Sequence, residues 1–557
     1  MRKIDFIDKL RSIYQVLAPD FVRQLGVRWK RQQLAVPSIA KQAFIEVNSL
    51  NWRNQNRKSD NVGYALVEGF LASYGPNYLL RTGIIAKAIQ KELHLTPLVL
   101  FNNYTEIETE KTLLYQSFDI NCFKSVLNYQ PSYCCRIKNV VLALKFFIQC
   151  YKPEDLLILK YKGIVFGDLL YDSIIKNTKG LTTITKVSKR EYIYICEALN
   201  FITAYIKILE RNNIKLYIST HSQYLEYGLL TRACLLRNIP VLETTDLQLW
   251  LHQKYKTHES ISYPKYHDYL RQRIKLLLDN EIDSTSITEA VNVLNERFSG
   301  HFEQSDVQLA YKNKKIYGRN ELRGVLKIEN DYPFVFIFAH AFADAPQGLS
   351  NGMLFRDYYA WLEETIKDAC TIPGVNWIIK PHPASAIYNE TGMVDEIVAK
   401  YKSSCLFICP KDLSPVSVID VASAIVTAQG TVGIEYGCMG IPVVLAGKPF
   451  YSGFGFTIEP NSIQEYKTAL RDIKKLTRLS EDQITMAKKV FAAFMQMQQT
   501  DTSLIDTDVL LAVWGGDGKP PSSDRAFELI NSKLPGFELN QYSLYKETIE
   551  LVKNLHD

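Results

Sequence analysis

The feature that most constrains this chain is an alternation of short apolar runs, rich in β-branched and aromatic residues, with longer stretches of helical pattern. The runs are Tyr64–Phe70, Pro97–Phe101, Gly163–Leu169, Lys215–Thr220 and Ile239–Glu243. After a gap come Tyr332–His340, Asn376–Lys380, Leu406–Pro410, Ala422–Ala428 and Ile441–Gly447. Continuously apolar strands separated by helices imply parallel sheets covered on both faces. The pattern occurs twice without a sequence repeat, and 557 residues exceed what one hydrophobic core usually supports. The expected fold is α/β, with two doubly wound parallel-sheet (Rossmann-like) domains facing a central cleft and helical extensions at both ends. The expected boundaries are a helical lead at 1–60, a first domain at 61–250, a helical linker at 251–330, a second domain at 331–490 and C-terminal helices at 491–557.

The formal net charge of +6 lies in residues 1–45, which hold nine basic and three acidic residues; the remainder is neutral. A basic excess confined to one end argues against a nucleic-acid-coating protein. Phe6, Ile7, Leu10, Ile13, Leu17 and Leu25 make Ile4–Leu17 and Phe21–Leu34 read as amphipathic helices. Such a lead suits peripheral contact with an anionic inner membrane face, or packs on the fold with a solvated basic side. There is no secretory signal pattern and no charge-free run of ~18 apolar residues. The ten cysteines have no paired ligand spacing, which leaves a reducing cytoplasm as the expected compartment.

In open parallel sheets ligands bind beyond the carboxyl ends of the strands. Ala422–Ala428 runs into Gln429-Gly430-Thr431, a short helical stretch and Gly440. Gly430 lets the backbone approach a ligand, helix-start N–H groups favour an anion, and the Thr431 hydroxyl adds a donor. Glu435, one turn on, can accept from two ribose hydroxyls. The other reading is a tight connection capped by Thr431. Asn376–Lys380 continues into Pro381-His382-Pro383, which holds His382 at a strand end, with Lys380 beside it, to meet a phosphate; a structural histidine is the alternative. His340 ends its own strand and also points towards donor phosphate or sugar, or bonds a neighbouring loop. The segment Lys448–Thr457 suits a loop closing over a base or sugar, or one packed by its own aromatics.

Lys380-Pro-His-Pro383, Gln429-Gly-Thr-Val-Gly-Ile-Glu435, Gly440-Ile-Pro-Val and Gly447-Lys-Pro-Phe-Tyr-Ser-Gly-Phe-Gly-Phe-Thr457 together resemble the bacterial capsule polysaccharide biosynthesis family, including its β-Kdo transferases. The resemblance implies a GT-B fold and a metal-independent glycosyltransferase without a cofactor. It gives His382 and Thr431 the donor phosphate and Glu435 the ribose. Many members carry a serine pair where Gln429-Gly430-Thr431 stands here, which leaves the donor nucleotide open.

On the first-half side, Gly167-Asp168-Leu-Leu-Tyr-Asp172 and Thr220-His221 through Tyr224-Leu-Glu-Tyr-Gly228 resemble the same family's first domain. Sugar transfer needs a carboxylate near the anomeric carbon or the acceptor hydroxyl. Asp168 is the first catalytic candidate and Asp246 the second, with His221 as proton shuttle or orienter; the other reading of Asp168 is a helix cap. Asp506-Thr-Asp508 lacks the strand context of a metal motif. The leading reading transfers a sugar, Kdo from CMP-Kdo first, from a nucleotide sugar to a lipid-linked glycan. The alternatives are a teichoic-acid-type polyol-phosphate transferase using a CDP donor, or a non-catalytic assembly component.

Overall fold

The computed structural model describes residues 37–52, 62–71, 75–102, 110–245, 248–252, 265–280, 282–299, 314–386, 388–498, 503–515, 520–538, 541–553 and Leu555. The chain forms two units. The first comprises residues 1–170, 186–263 and 498–557, the second residues 171–185 and 264–497. The lead helices read over Ile4–Leu17 and Phe21–Leu34 lie outside the described residues.

The first unit carries β1 (Tyr64–Glu68), β2 (Thr96–Phe101), β3 (Cys122–Ser125), β4 (Lys160–Tyr161), β5 (Ile164–Val165), β6 (Ile214–Ser219), β7 (Val241–Thr244) and β8 (Leu249–His252). Its main sheet runs β3-β2-β1-β6-β7-β8, parallel throughout except that β8 pairs antiparallel with β7. The second unit carries β9 (Phe334–Phe338), β10 (Asn376–Lys380), β11 (Leu406–Ile408), β12 (Ala422–Thr427) and β13 (Val443–Leu445). Its order is β11-β10-β9-β12-β13, all parallel. In each sheet the winding reverses beside the first strand, between β1 and β6 and between β9 and β12. These reversals leave a crevice at the strands' carboxyl ends. Both sheets are covered on both faces, which is why a strand such as β9, Phe-Val-Phe-Ile-Phe, is buried at every position. Two doubly wound, largely parallel-sheet units are thus the observed architecture.

One expected strand is absent. Within Gly163–Leu169 only Ile164–Val165 is extended, in a small hairpin with β4, and Gly167 opens a helix to Asn177. A short apolar run does not by itself distinguish strand from buried helix. Here Gly167, packed against the Leu156 carbonyl where a side chain would not fit, turns the chain into the helix. The region read as a linker supplies helices Tyr266–Asp279 and Ser284–Phe298. Their Leu270, Ile274, Ala290 and Leu294 join the second unit's core beside Ile425 and Ile434. Helix Lys189–Arg211 is long and apolar enough to cross a membrane, yet 67% of that window is buried in the first unit.

The C-terminal helices complete the first unit. Phe527 of helix Ser523–Lys533 packs edge-on to Phe44 at 5.3 Å, and Tyr545 of helix Ser543–Lys553 meets Trp52 at 6.4 Å. Phe527 is fully buried in the core that holds Leu80 and Leu114. Phe527→Ala is expected to cost about 3–5 kcal/mol, measured as a lowered denaturation midpoint of the first unit.

Candidate functional site

In the second unit the crevice between β9 and β12 is built around His340. Its ring stacks on Tyr358 (4.1 Å, 11° between planes) and meets the Trp361 ring edge at 5.7 Å. Nε2 accepts the backbone N–H of Gln429 (3.2 Å) and lies 3.2 Å from the Thr427 hydroxyl. Because a backbone amide donates to Nε2, the neutral ring carries its proton on Nδ1. Burial, with His382 and His267 nearby, holds its pKa down to about 3, so the ring is neutral at physiological pH.

Gln429 holds this plate in place. Its side-chain amide donates to the Tyr358 hydroxyl (2.9 Å) and accepts from the Ser350 hydroxyl (2.6 Å), with all three residues buried. Gln429 therefore has a structural role: its side chain reaches the tyrosine on which His340 stacks. A Cβ on Gly430 would press 3.0 Å from the Thr427 hydroxyl and 3.4 Å from His340 Cε1, so glycine lets the turn lie close to both without displacing either. The Tyr451 hydroxyl donates to the Gly430 carbonyl, over Gly433, where no side chain fits. Thr431 is exposed, has helical backbone angles and makes no cap hydrogen bond. The capping reading does not apply, and its hydroxyl stands at the start of helix Val432–Gly437.

Lys380, at the end of β10, lies 5.4 Å from the centre of the Phe338 ring, and burial lowers its pKa. His382 is half-buried and its Nδ1 accepts the Ala384 N–H (3.2 Å), which leaves Nε2 to carry a proton in the neutral ring. Glu435 is buried, with Arg297 3.8 Å away. Phe450, Tyr451 and Phe456 of the segment 448–457 are buried, Phe450 stacking on Phe494 at 4.3 Å; this part of the loop is packed by its own aromatics. Sequence reasoning passed over Glu390. Its carboxylate accepts the N–H groups of Phe342 and Ala343 (2.8 Å each), just beyond His340, and burial lifts its pKa to about 7.

The first unit presents a comparable crevice between β1 and β6. Glu68, at the end of β1, accepts the N–H of Phe70 (2.7 Å) and both the N–H (3.2 Å) and hydroxyl of Thr220. Burial pushes its pKa up to about 7 against those donors, with Glu226 adding to the rise and Lys111 opposing it. Since the Thr220 hydroxyl donates to Glu68, its oxygen is left to accept from His221 Nδ1, 3.4 Å away. The His221 ring lies between Tyr78 (5.9 Å) and Tyr227 (5.2 Å). A strained backbone follows. Tyr224 has φ +61° and opens a π-helical turn, Tyr224–Gly228, whose Glu226 carbonyl accepts the Tyr205 hydroxyl (2.7 Å). Glu68 was overlooked because it sits inside the run Tyr64–Phe70. The signal was a carboxylate within that apolar run, directly before Gly69.

The other first-half candidates separate. Asp168 follows only the small β4–β5 hairpin and no strand of the main sheet: it lies in the first turn of helix Gly167–Asn177, buried, with its two oxygens 2.6 and 2.7 Å from the Arg232 guanidinium. Asp172 accepts the N–H groups of Gln347 (3.1 Å) and Gly348 (2.6 Å). Asp246 lies outside the described residues. Asp506 caps helix Thr507–Trp514 by accepting the Val509 N–H (3.1 Å).

Comparison with known proteins bears on the second unit. Residues 359–492 match the family described as capsule polysaccharide biosynthesis protein. This segment carries the capsule polysaccharide biosynthesis pattern. The match takes in Lys380, His382, Gly430, Thr431 and Glu435, and stops short of His340 and of every first-unit candidate. No curated protein matches the sequence. Among solved structures, the Thermosulfurimonas dismutans KpsC β-Kdo 2,4-transferase is 15% identical, with 50% of this chain and 79% of that one covered and a TM-score of 0.31. A UDP-GlcNAc 2-epimerase from Neisseria meningitidis is 11% identical (78% and 99% covered, TM-score 0.23). The wall teichoic acid polymerase TagF is 10% identical (99% of each covered, TM-score 0.20).

The state of Glu68 gives a test. The folded-state pKa near 7 lies above the ordinary 4.5. Its contribution is therefore fully present below pH 4.5 and is lost as pH rises towards 7. Glu68→Gln removes that dependence. Relative to wild type, the variant is expected to gain on the order of 3 kcal/mol between pH 4.5 and pH 8, read from denaturant midpoints across that range.

Proposed function

We propose that this chain is a capsule or surface-polysaccharide glycosyltransferase of GT-B type that works without a metal. It moves a sugar from a nucleotide sugar to a lipid-linked glycan, with Kdo from CMP-Kdo as the leading donor. It acts in the cytoplasm, peripherally on the inner face of the cytoplasmic membrane. The observation that carries this reading is the crevice beside β9, where the His340 plate, the Gly430 turn and the His382 strand end belong to one sheet edge. That edge lies within or directly beside the capsule-synthesis segment.

In this reading the donor phosphate is met by His340 Nδ1–H, His382 Nε2–H, Lys380 and the Thr431 hydroxyl. Glu435, with Arg297 behind it, takes the ribose. The first unit supplies the proton chemistry. His221 Nε2 takes the acceptor hydroxyl's proton, and Thr220 passes the influence of Glu68 to Nδ1–H, fixing the tautomer and stabilising the imidazolium. Asp168 is held by Arg232, and Asp246 stands as the second carboxylate candidate.

The test is incubation of the full chain with CMP-Kdo or CDP-glycerol and a lipid-linked acceptor, following the released nucleotide. Turnover of CMP-Kdo alone is expected; turnover of CDP-glycerol alone would establish the polyol-phosphate reading, and neither would leave an assembly component. His221→Ala is expected to lower kcat by roughly 10²–10⁴-fold with the nucleotide still bound. His382→Ala is expected to weaken nucleotide binding by about 1.5–3 kcal/mol, the range for a hydrogen bond to a charged group, read as a smaller thermal shift with CMP.

A further inference from the structure

Helix Tyr133–Gln149 of the first unit buries one side against helix Lys189–Arg211. Asn139 Nδ2 donates to Asn200 Oδ1 (2.9 Å), and Phe147 meets Tyr192 edge-on at 5.8 Å. The opposite side is apolar and exposed. Tyr133, Ile137, Val141, Leu144 and Ile148 are 56, 43, 63, 46 and 61% exposed. At about 100° per residue they fall within about 80° of arc. Of the seventeen large hydrophobics exposed among the described residues, seven lie between Tyr133 and Ile158. An ordinary surface scatters such residues singly; a continuous stripe marks a contact face.

The charge around the stripe selects the partner. The helix has no Asp or Glu, and Lys138 and Lys145 are exposed along one flank; Lys152 follows the helix beside Glu154 and Asp155, so the excess charge of this face rests on the two flanking lysines. A second copy of this chain would set these lysines against their own kind. Residues 1–36, with eight basic and three acidic residues, are no better matched. An anionic lipid surface satisfies both features, because apolar side chains enter the acyl boundary while lysines stay at the headgroups and an aromatic sits at the interface.

We propose that this face of the first unit seats on an anionic phospholipid bilayer, with the stripe from Tyr133 to Ile148 inserted at the interface and Lys138 and Lys145 on the headgroups. For its purpose, bringing the first unit to a lipid-linked acceptor, it rests on the proposed function; the binding itself does not.

The test uses the full-length chain with vesicles of roughly 30% phosphatidylglycerol in phosphatidylcholine, and with vesicles of phosphatidylcholine alone. Wild type is expected to co-sediment with the anionic vesicles, less in high salt and less with neutral ones. The double variant V141E/I148E is expected to lose about tenfold or more of that partitioning. Its thermal shift with CMP should match wild type, which shows that it is folded. Absence of binding by wild type, equal binding by the variant, or a dimer in solution that the variant dissociates would each overturn the proposal. A chain that binds these vesicles but transfers no sugar keeps this inference and sinks the donor reading. One that transfers sugar to a water-soluble acceptor yet ignores the vesicles does the reverse.

Discussion

The reversal of winding beside the first strand of each sheet is the constraint on which the rest of this molecule depends. Once β10 and β11 are laid to one side of β9 and β12 to the other, the connections leaving β9 and β12 diverge. The ends of those two strands are then uncovered by any crossover helix. His340 and the Gln429–Thr431 turn occupy that gap, and the Gln429 amide bonded to His340 Nε2 closes its floor. The same arithmetic of connections places Glu68 and Thr220 at the ends of β1 and β6. Two units without a shared sequence repeat thus place their polar side chains at corresponding points of the sheet.

The groups in the second unit's crevice share an electrostatic condition. His340 is held neutral, and Lys380 is pushed away from its ordinary high pKa by burial. Beside them, burial lifts Glu390 towards neutrality. Each is a group whose charge the fold disfavours. An anion placed among the first two would add to the counter-charge that Glu435 gives Lys380 and draw protons onto them. A neutral imidazole costs less to bury than a cation and still offers an N–H to an oxygen, which suits the close packing of His340 against Tyr358 and Trp361.

Much of this was legible in the sequence, for reasons that differ by element. The runs that became β1, β2, β6, β7, β9, β10, β11, β12 and β13 were visible because both sheet faces are covered, so no polar alternation interrupts them. β3 and β8 were not seen. Cys-Phe-Lys-Ser is half-polar at a sheet edge, and Leu-Trp-Leu-His follows too closely on β7 to stand as a run of its own. Gly163–Leu169 misled because its second half is a buried helix, equally apolar. With that strand went the placement of Asp168, whose partner Arg232 lies sixty-four residues away. His382 and the Gly430 turn were readable because proline and glycine fix the backbone locally. Glu68 and Gln429 were not, because their roles come from partners distant in sequence, Thr220 and Tyr358. Asp246 stays where the sequence left it.

The passage of the chain between the units bears on how the protein is made. The helix begun at Gly167 leaves the first unit after Leu170, the chain re-enters that unit at Lys186, and helices beyond Gln498 return to complete its core around Phe44 and Trp52. The second unit is complete by Met497, before those helices are made. On the ribosome, where amino-terminal domains usually fold first, the order is inverted. The unit begun first waits for the helices beyond Gln498 to emerge, and its open side stays uncovered while the second unit is already complete.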